Sequence, residues 1–160
     1  MNISRKLLPC LMVLMIGLIL TLSGCSRQTL KVSISDVYYR RNNYIDEGLV
    51  FDIYIAEMTM ENSSEEIKYF IDKHIEDSQG RTYKTNFTYE ESWGKSCCSA
   101  DAKYLDAETV KPGYFEVLGE MPLDATDLKA YIETKGELLI FSLPDPGDVE
   151  VREVIIPSPE

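Results

Sequence analysis

Few side chains in this 160-residue chain are suited to chemistry. His74 is the one histidine, and it stands between two acids, Asp72 and Glu76. At spacing i, i+2, i+4 on a strand, those three side chains project from one face. An imidazole with two carboxylates is a donor set for Zn²⁺ or another divalent ion. It is also what the polar side of an amphipathic strand looks like, and a lone histidine there is ordinarily solvated, so no metal is expected. Cys97 and Cys98 are adjacent. Their Cα atoms lie about 3.8 Å apart across a trans peptide, whereas ordinary disulfides want about 4.4–6.8 Å. A bond between them would be strained, readily reduced, and closed around almost no loop. Asp145 and Asp148 flank Pro146-Gly147 without the further oxygen ligands or bidentate Glu of a calcium loop. There is no Ser-His-Asp or Cys-His arrangement and no glycine-rich phosphate loop. The chain is expected not to be an enzyme and to need no cofactor.

The elements that must carry these residues read as strands. Leu30, Val32 and Ile34 alternate with polar residues, and the apolar phase then moves to Val37 and Tyr39, as a bulge near Asp36 would require. Arg40-Arg41-Asn42-Asn43 reads as a loop. Leu49 to Ile55 alternates, the phase flips at Ala56, and a bulge between Ile55 and Glu57 repairs it. Ile67, Tyr69, Ile71 and Ile75 share one parity, opposite Lys68, Asp72, His74 and Glu76. Asp77-Ser78-Gln79-Gly80 turns that strand into Tyr83, Thr85, Phe87 and Tyr89, with Gly80 suited to positive φ. From Glu90 to Thr109 no period is sustained, which marks a long loop carrying Trp93, Cys97 and Cys98, with a short helix around Ala100 to Leu105. Lys111-Pro112-Gly113 and Lys135-Gly136 read as turns. Leu138 to Leu143 is apolar on both faces, as a central strand would be. Val149 to Ile156 makes the last strand, stopped by Pro157. Seven to eight short strands with turns between them predict an all-β chain folded as a single antiparallel β-sandwich, immunoglobulin-like in the broad sense. The Cys…Trp…Cys spacing of true immunoglobulin domains is missing.

The remaining cysteines belong to the N-terminus. Arg5 and Lys6 precede an apolar run from Leu7 to Leu22, and Ser23-Gly24 stand just before Cys25. That run falls short of the roughly 20 residues a spanning helix needs, and the order basic, apolar, small is that of a secretory leader. Leu22-Ser23-Gly24-Cys25 resembles the bacterial lipobox. The resemblance implies that residues 1–24 are removed and that the Cys25 thiol carries diacylglycerol. It implies residence on the extracytoplasmic face of the cell membrane, the bilayer being held through the lipid. Residues 25–29 are then a short tether, 30–156 the β-sandwich and 157–160 a tail.

Charge points the same way. The chain carries 16 basic and 27 acidic residues. Without its leader it keeps 14 basic residues and all 27 acidic ones, a formal charge of −13. Nucleic acid is excluded as a partner, since phosphate needs clustered Lys and Arg. An anionic membrane surface would repel such a domain, so attachment must come from lipid.

Met58-Thr59-Met60-Glu61-Asn62-Ser63, then Ile75 to Tyr83, then Val110-Lys111-Pro112-Gly113, resemble a widespread family of uncharacterised bacterial lipoproteins with an immunoglobulin-like sandwich. Glu116 and Glu120 interrupt the strand that in the family follows the Pro-Gly turn, and the vicinal cysteines lie outside its pattern. The resemblance implies a fold and supplies no catalytic residues. The expected role is a binding or accessory module of the cell envelope whose partner is an envelope protein or peptide. Trp93, Cys97 and Cys98 form the candidate interaction loop, because aromatics on long loops often anchor interfaces. Two other readings stand beside it: a divalent-metal or thiol-redox protein using His74 or Cys97 and Cys98, and a structural lipoprotein with no dedicated ligand.

Overall fold

The computed structural model describes residues 28–44, 50–90 and 101–156. Its elements are strands β1 (Leu30–Tyr44), β2 (Val50–Asn62), β3 (Lys68–Glu76), β4 (Thr82–Tyr89), β5 (Tyr104–Leu105), β6 (Thr109–Val117), β7 (Lys129–Thr134), β8 (Glu137–Ser142) and β9 (Glu150–Ile156), with one 3-10 turn at Pro146–Asp148. The described residues contain no α-helix, and the segment expected to be helical instead supplies β5, paired with β3. The strands form one sheet in the order β8-β7-β3-β4-β6-β2-β1-β9, with β5 beside β3. The all-β expectation holds with nine strands rather than seven to eight. One pair is not antiparallel: β9 runs parallel to β1, from Tyr38↔Glu150 to Tyr44↔Ile156.

β4 joins the two halves of this sheet. Its first residues pair with β3 (Ile75↔Tyr83), and the rest pair with β6 from Thr85↔Val117 to Tyr89↔Gly113. The β3–β4 turn is the one the sequence marks. Gly80 has φ +76°, and the Asp77 carboxylate organises the turn from within. Asp77 Oδ1 accepts from the Gln79 and Arg81 backbone N–H groups (2.9 Å each), and Oδ2 accepts from Arg81 Nε (2.5 Å) and the Tyr83 hydroxyl (2.9 Å). Burial alone would push this carboxyl up, but Arg81 and the other donors outweigh it and bring the group down to about 2.

Several local readings change in the tertiary structure. Arg40 to Asn43 are not a loop; β1 continues through them because β2 and β9 pair with both sides. The bulge expected near Asp36 is present between Ile34 and Asp36. It lies opposite Met58 and Glu57, so the irregularity expected in β2 is carried by its partner strand. Pro112 and Gly113 are not a turn but lie inside β6. Pairing with β4 begins only at Gly113, so Pro112, which has no N–H to give, costs that ladder nothing. In β3 a register shift between Phe70 and Asp72 reverses the parity. Ile75 reaches the core, Phe70 packs against it, and Tyr69 and Ile71 face out, 60% and 63% exposed. β8 is not central: it pairs with β7 alone and is an edge.

One apolar cluster joins these strands. It includes Leu30, Tyr54, Met58, Met60, Phe87, Phe115, Ile132 and Leu139, so it draws on both halves of the strand order. Gly113 is required there: a Cβ would come within 2.5 Å of the Phe87 ring and of the Thr88 carbonyl oxygen. The latter is backbone and cannot swing aside.

Two predictions follow from this geometry. Gly113→Ala lowers unfolding stability by about 2–3 kcal/mol, as overpacking in a tight core does, read by urea denaturation. Because Asp77 is depressed from 3.8 to about 2, its contribution is present above pH 3.8 and is lost as pH falls towards 2. The stability gap between the native chain and Asp77→Asn is therefore widest near pH 5 and narrows towards pH 2, as paired denaturation curves would show.

Candidate functional site

Cys25, Trp93, Cys97 and Cys98 lie outside the described residues. Of the residues singled out from the sequence, Asp72, His74 and Glu76 are placed, and the structure brings them together. All three lie on one face of β3, opposite in parity to the buried Ile75. His74 sits opposite Tyr131 of β7, and the two rings stack, centroids 4.8 Å apart and planes at 9°. Nδ1 of His74 is 2.5 Å from Asp72 Oδ2, and Nε2 is 3.5 Å from Glu76 Oε1. Glu76 also accepts the Tyr131 hydroxyl; burial and this carboxylate push the phenol up.

A metal site needs its donors aimed at one point. Here each carboxylate takes a different edge of the imidazole, so the acids are spent on the ring and not on a shared centre. Among the described residues no group of three or more His, Cys, Asp or Glu side chains is placed to hold a metal ion. With Tyr131 the three side chains form a polar, aromatic strip on one face of the sheet.

β4 leads to Glu90, and the chain is described again from Asp101. Ala102 N–H donates to Phe87 O (2.6 Å), and Phe70 N–H donates to Lys103 O (3.0 Å). A buried ion pair secures the same spot. Lys73 Nζ, on a side chain only 6% exposed, donates to Asp101 Oδ1 (2.5 Å) and Ala102 O (2.7 Å). It also lies 5.0 Å from the centre of the Phe70 ring. Asp101 Oδ1 accepts the Phe87 N–H, and Oδ2 pairs with Lys103 at 2.8 Å. Burial pulls the Lys73 ammonium down, with Asp101 opposing it; burial pushes Asp101 up, but Lys103, Lys73 and the Phe87 N–H hold it below the usual carboxylate range. Sequence reasoning missed this pair. The two residues are 28 apart, and although Lys73 shares the parity of the buried Ile75, nothing near it in the chain announces its partner.

A second polar knot was equally invisible. The Thr29 N–H and hydroxyl both donate to Glu137 Oε1 (2.5 and 3.0 Å), and Lys68 Nζ pairs with Glu137 Oε2 at 3.0 Å. It ties the residue before β1 to β3 and β8. Burial raises the Glu137 carboxyl, and the Thr29 and Lys68 donors more than offset this, leaving it below the usual range.

Lys73→Ala removes a nearly buried cation from a largely buried carboxylate and lowers stability by about 3 kcal/mol. Lys103→Ala, on a side chain 75% exposed, changes it by about 0.5 kcal/mol or less; thermal unfolding of the two variants measures the contrast. No family model, curated protein or solved structure matches this chain.

Proposed function

We propose that this chain is a lipid-anchored binding or accessory module on the extracytoplasmic face of a bacterial cell membrane, carried by diacylglycerol on Cys25. The observation that carries the reading is the ordered leader: Arg5 and Lys6, the apolar run Leu7–Leu22, then Leu22-Ser23-Gly24-Cys25. Two or more acyl chains hold firmly where one is marginal, because each buried CH₂ contributes about 0.8 kcal/mol. The first strand begins at Leu30. An extended tether from Cys25 to Thr29 reaches about 14 Å, which keeps the module beside the bilayer. No helix among the described residues is long and apolar enough to cross a membrane.

The nine-strand sheet is read as folded over into an immunoglobulin-like sandwich. Support comes from the single core cluster that spans both halves of the strand order. The Tyr54 hydroxyl of β2 donates to Pro144 O just after β8 (2.6 Å), and Thr29 is clamped to Glu137. The partner is an envelope protein or peptide. Trp93, Cys97 and Cys98 are its proposed contact loop, held at both ends by the strands described above.

Cell fractionation tests the anchor. The native chain is expected in the membrane fraction and Cys25→Ser in the soluble or secreted fraction; equal membrane partition of both would overturn the proposal.

A further inference from the structure

β8 is an open edge with an uncommon make-up. Leu143 N–H donates to Leu128 O (3.0 Å), and the β7–β8 ladder runs from Lys129↔Ser142 to Thr134↔Glu137. Bonded pairs alternate along an antiparallel ladder, so residues 137, 139, 141 and 143 turn their backbone groups to β7. The N–H and C=O groups of Leu138, Ile140 and Ser142 therefore point to the other side, where no strand of the described residues pairs. The side chains of Leu138 and Ile140 are 55% and 50% exposed. Beside this edge, between β8 and the start of β1, lies a groove of about 420 Å³ whose lining includes Leu30, Val32, Leu139, Ile140 and Phe141. Edge strands are ordinarily blunted by a lysine, a proline or a bulge. Glu137-Leu-Leu-Ile-Phe-Ser142 has none of these, and its register with β7 is unbroken.

We propose that β8 pairs antiparallel with β8 of a second copy of this chain, about a twofold axis at Ile140, so that one sheet runs through both copies. The ladder selects this register. Both copies offer the backbone groups of the same three residues, and centring on Ile140 sets Leu138 against Ser142 at each end and uses all three. A slip of one residue turns donors away from acceptors. The outward face agrees. In the central row Tyr131 lies beside Ile140, and its mirror image continues an apolar strip across the joint. In the flanking rows Glu133 lies beside Leu138 and Lys129 beside Ser142. On this face the charges in the flanking rows are thus Glu133 of one copy and Lys129 of the other, of opposite sign in a chain with net charge −11. The proposal deepens the binding-module reading and rests on it for the idea that the protein works through protein contacts; it does not depend on the lipid.

The purified full chain in detergent, followed by light scattering over a concentration series, tests this. The expected result is a rise to about twice the monomer mass, with amide exchange at Leu138, Ile140 and Ser142 slowing as concentration rises. Ile140→Lys should stay at monomer mass at every concentration while keeping its β-sheet circular dichroism. Should that variant lose its fold, Leu138→Lys on the same edge reads the same contact. A monomer mass throughout would overturn the proposal, as would a doubled mass that survives the folded lysine variant. So would slow exchange that is independent of concentration, which would mean that a segment of the same chain covers the edge. Fractionation of Cys25→Ser tests the anchor alone, so failure of one reading is distinguishable from failure of the other.

Discussion

The transfer of β4 from one neighbour to another is the constraint on which the structure depends. Three of its residues pair with β3, and the next five pair with β6. Among the described residues no other strand pairing bridges β8-β7-β3 to β6-β2-β1-β9. The transfer works because its two ends are fixed by different physics. At the β3 end Asp77 gathers four donors into one buried carboxylate. At the β6 end Gly113 lets the Phe87 ring and the Thr88 carbonyl approach to a distance no side chain would tolerate. The first is electrostatic and weakens in acid; the second is steric and does not respond to pH.

Around that join, buried ionic contacts act as pins rather than as reserves of stability. Replacing a well-satisfied buried pair by apolar groups is often neutral, whereas removing one partner is costly. Lys73–Asp101 and the Thr29–Glu137–Lys68 knot both fit this description. Each lies where ladder hydrogen bonds cannot reach: one at the return of the long loop, the other where the chain enters β1. Exposed pairs such as Lys31–Glu61, 3.7 Å apart on solvated side chains, contribute little by comparison. The ionic contacts that matter here are those that specify position.

The same pins orient the proposed function. Thr29 is both the end of the tether from Cys25 and the residue clamped to β8, so a lipid at Cys25 would place the β8 edge near the bilayer. The other end of the strand order is β9, which lies parallel to β1. Arg152 stabilises that arrangement: its guanidinium lies 4.0 Å from the centre of the Tyr38 ring and pairs with Asp36 at 2.7 Å. At one end of the strand order a charged contact holds β9 to β1; at the other Leu138 and Ile140 stand exposed on β8.

Local signals decided the strand content, the Asp77–Gly80 and Lys135-Gly136 turns and the bulge near Asp36, because each rests on neighbours in the chain: alternation, or a glycine at positive φ. What the sequence left undecided was which strands lie beside which. An apolar run such as Leu138–Leu143 reads alike for a strand buried on both sides and for an edge with an exposed face, since its composition does not reveal how many partners it has. The parity of β3 fails for a related reason. One inserted residue at Ile71 sends Tyr69 outward and Phe70 inward, and only the pairing with β7 decides where that residue falls. Asp72, His74 and Glu76 were legible as one face of a strand, but the stack on His74 needed Tyr131, 57 residues further along the chain. The sequence by itself determined the all-β character and the turn chemistry; the tertiary structure alone decided edges, burial and the state of the candidate site, because these depend on contacts between residues that the chain brings together only on folding.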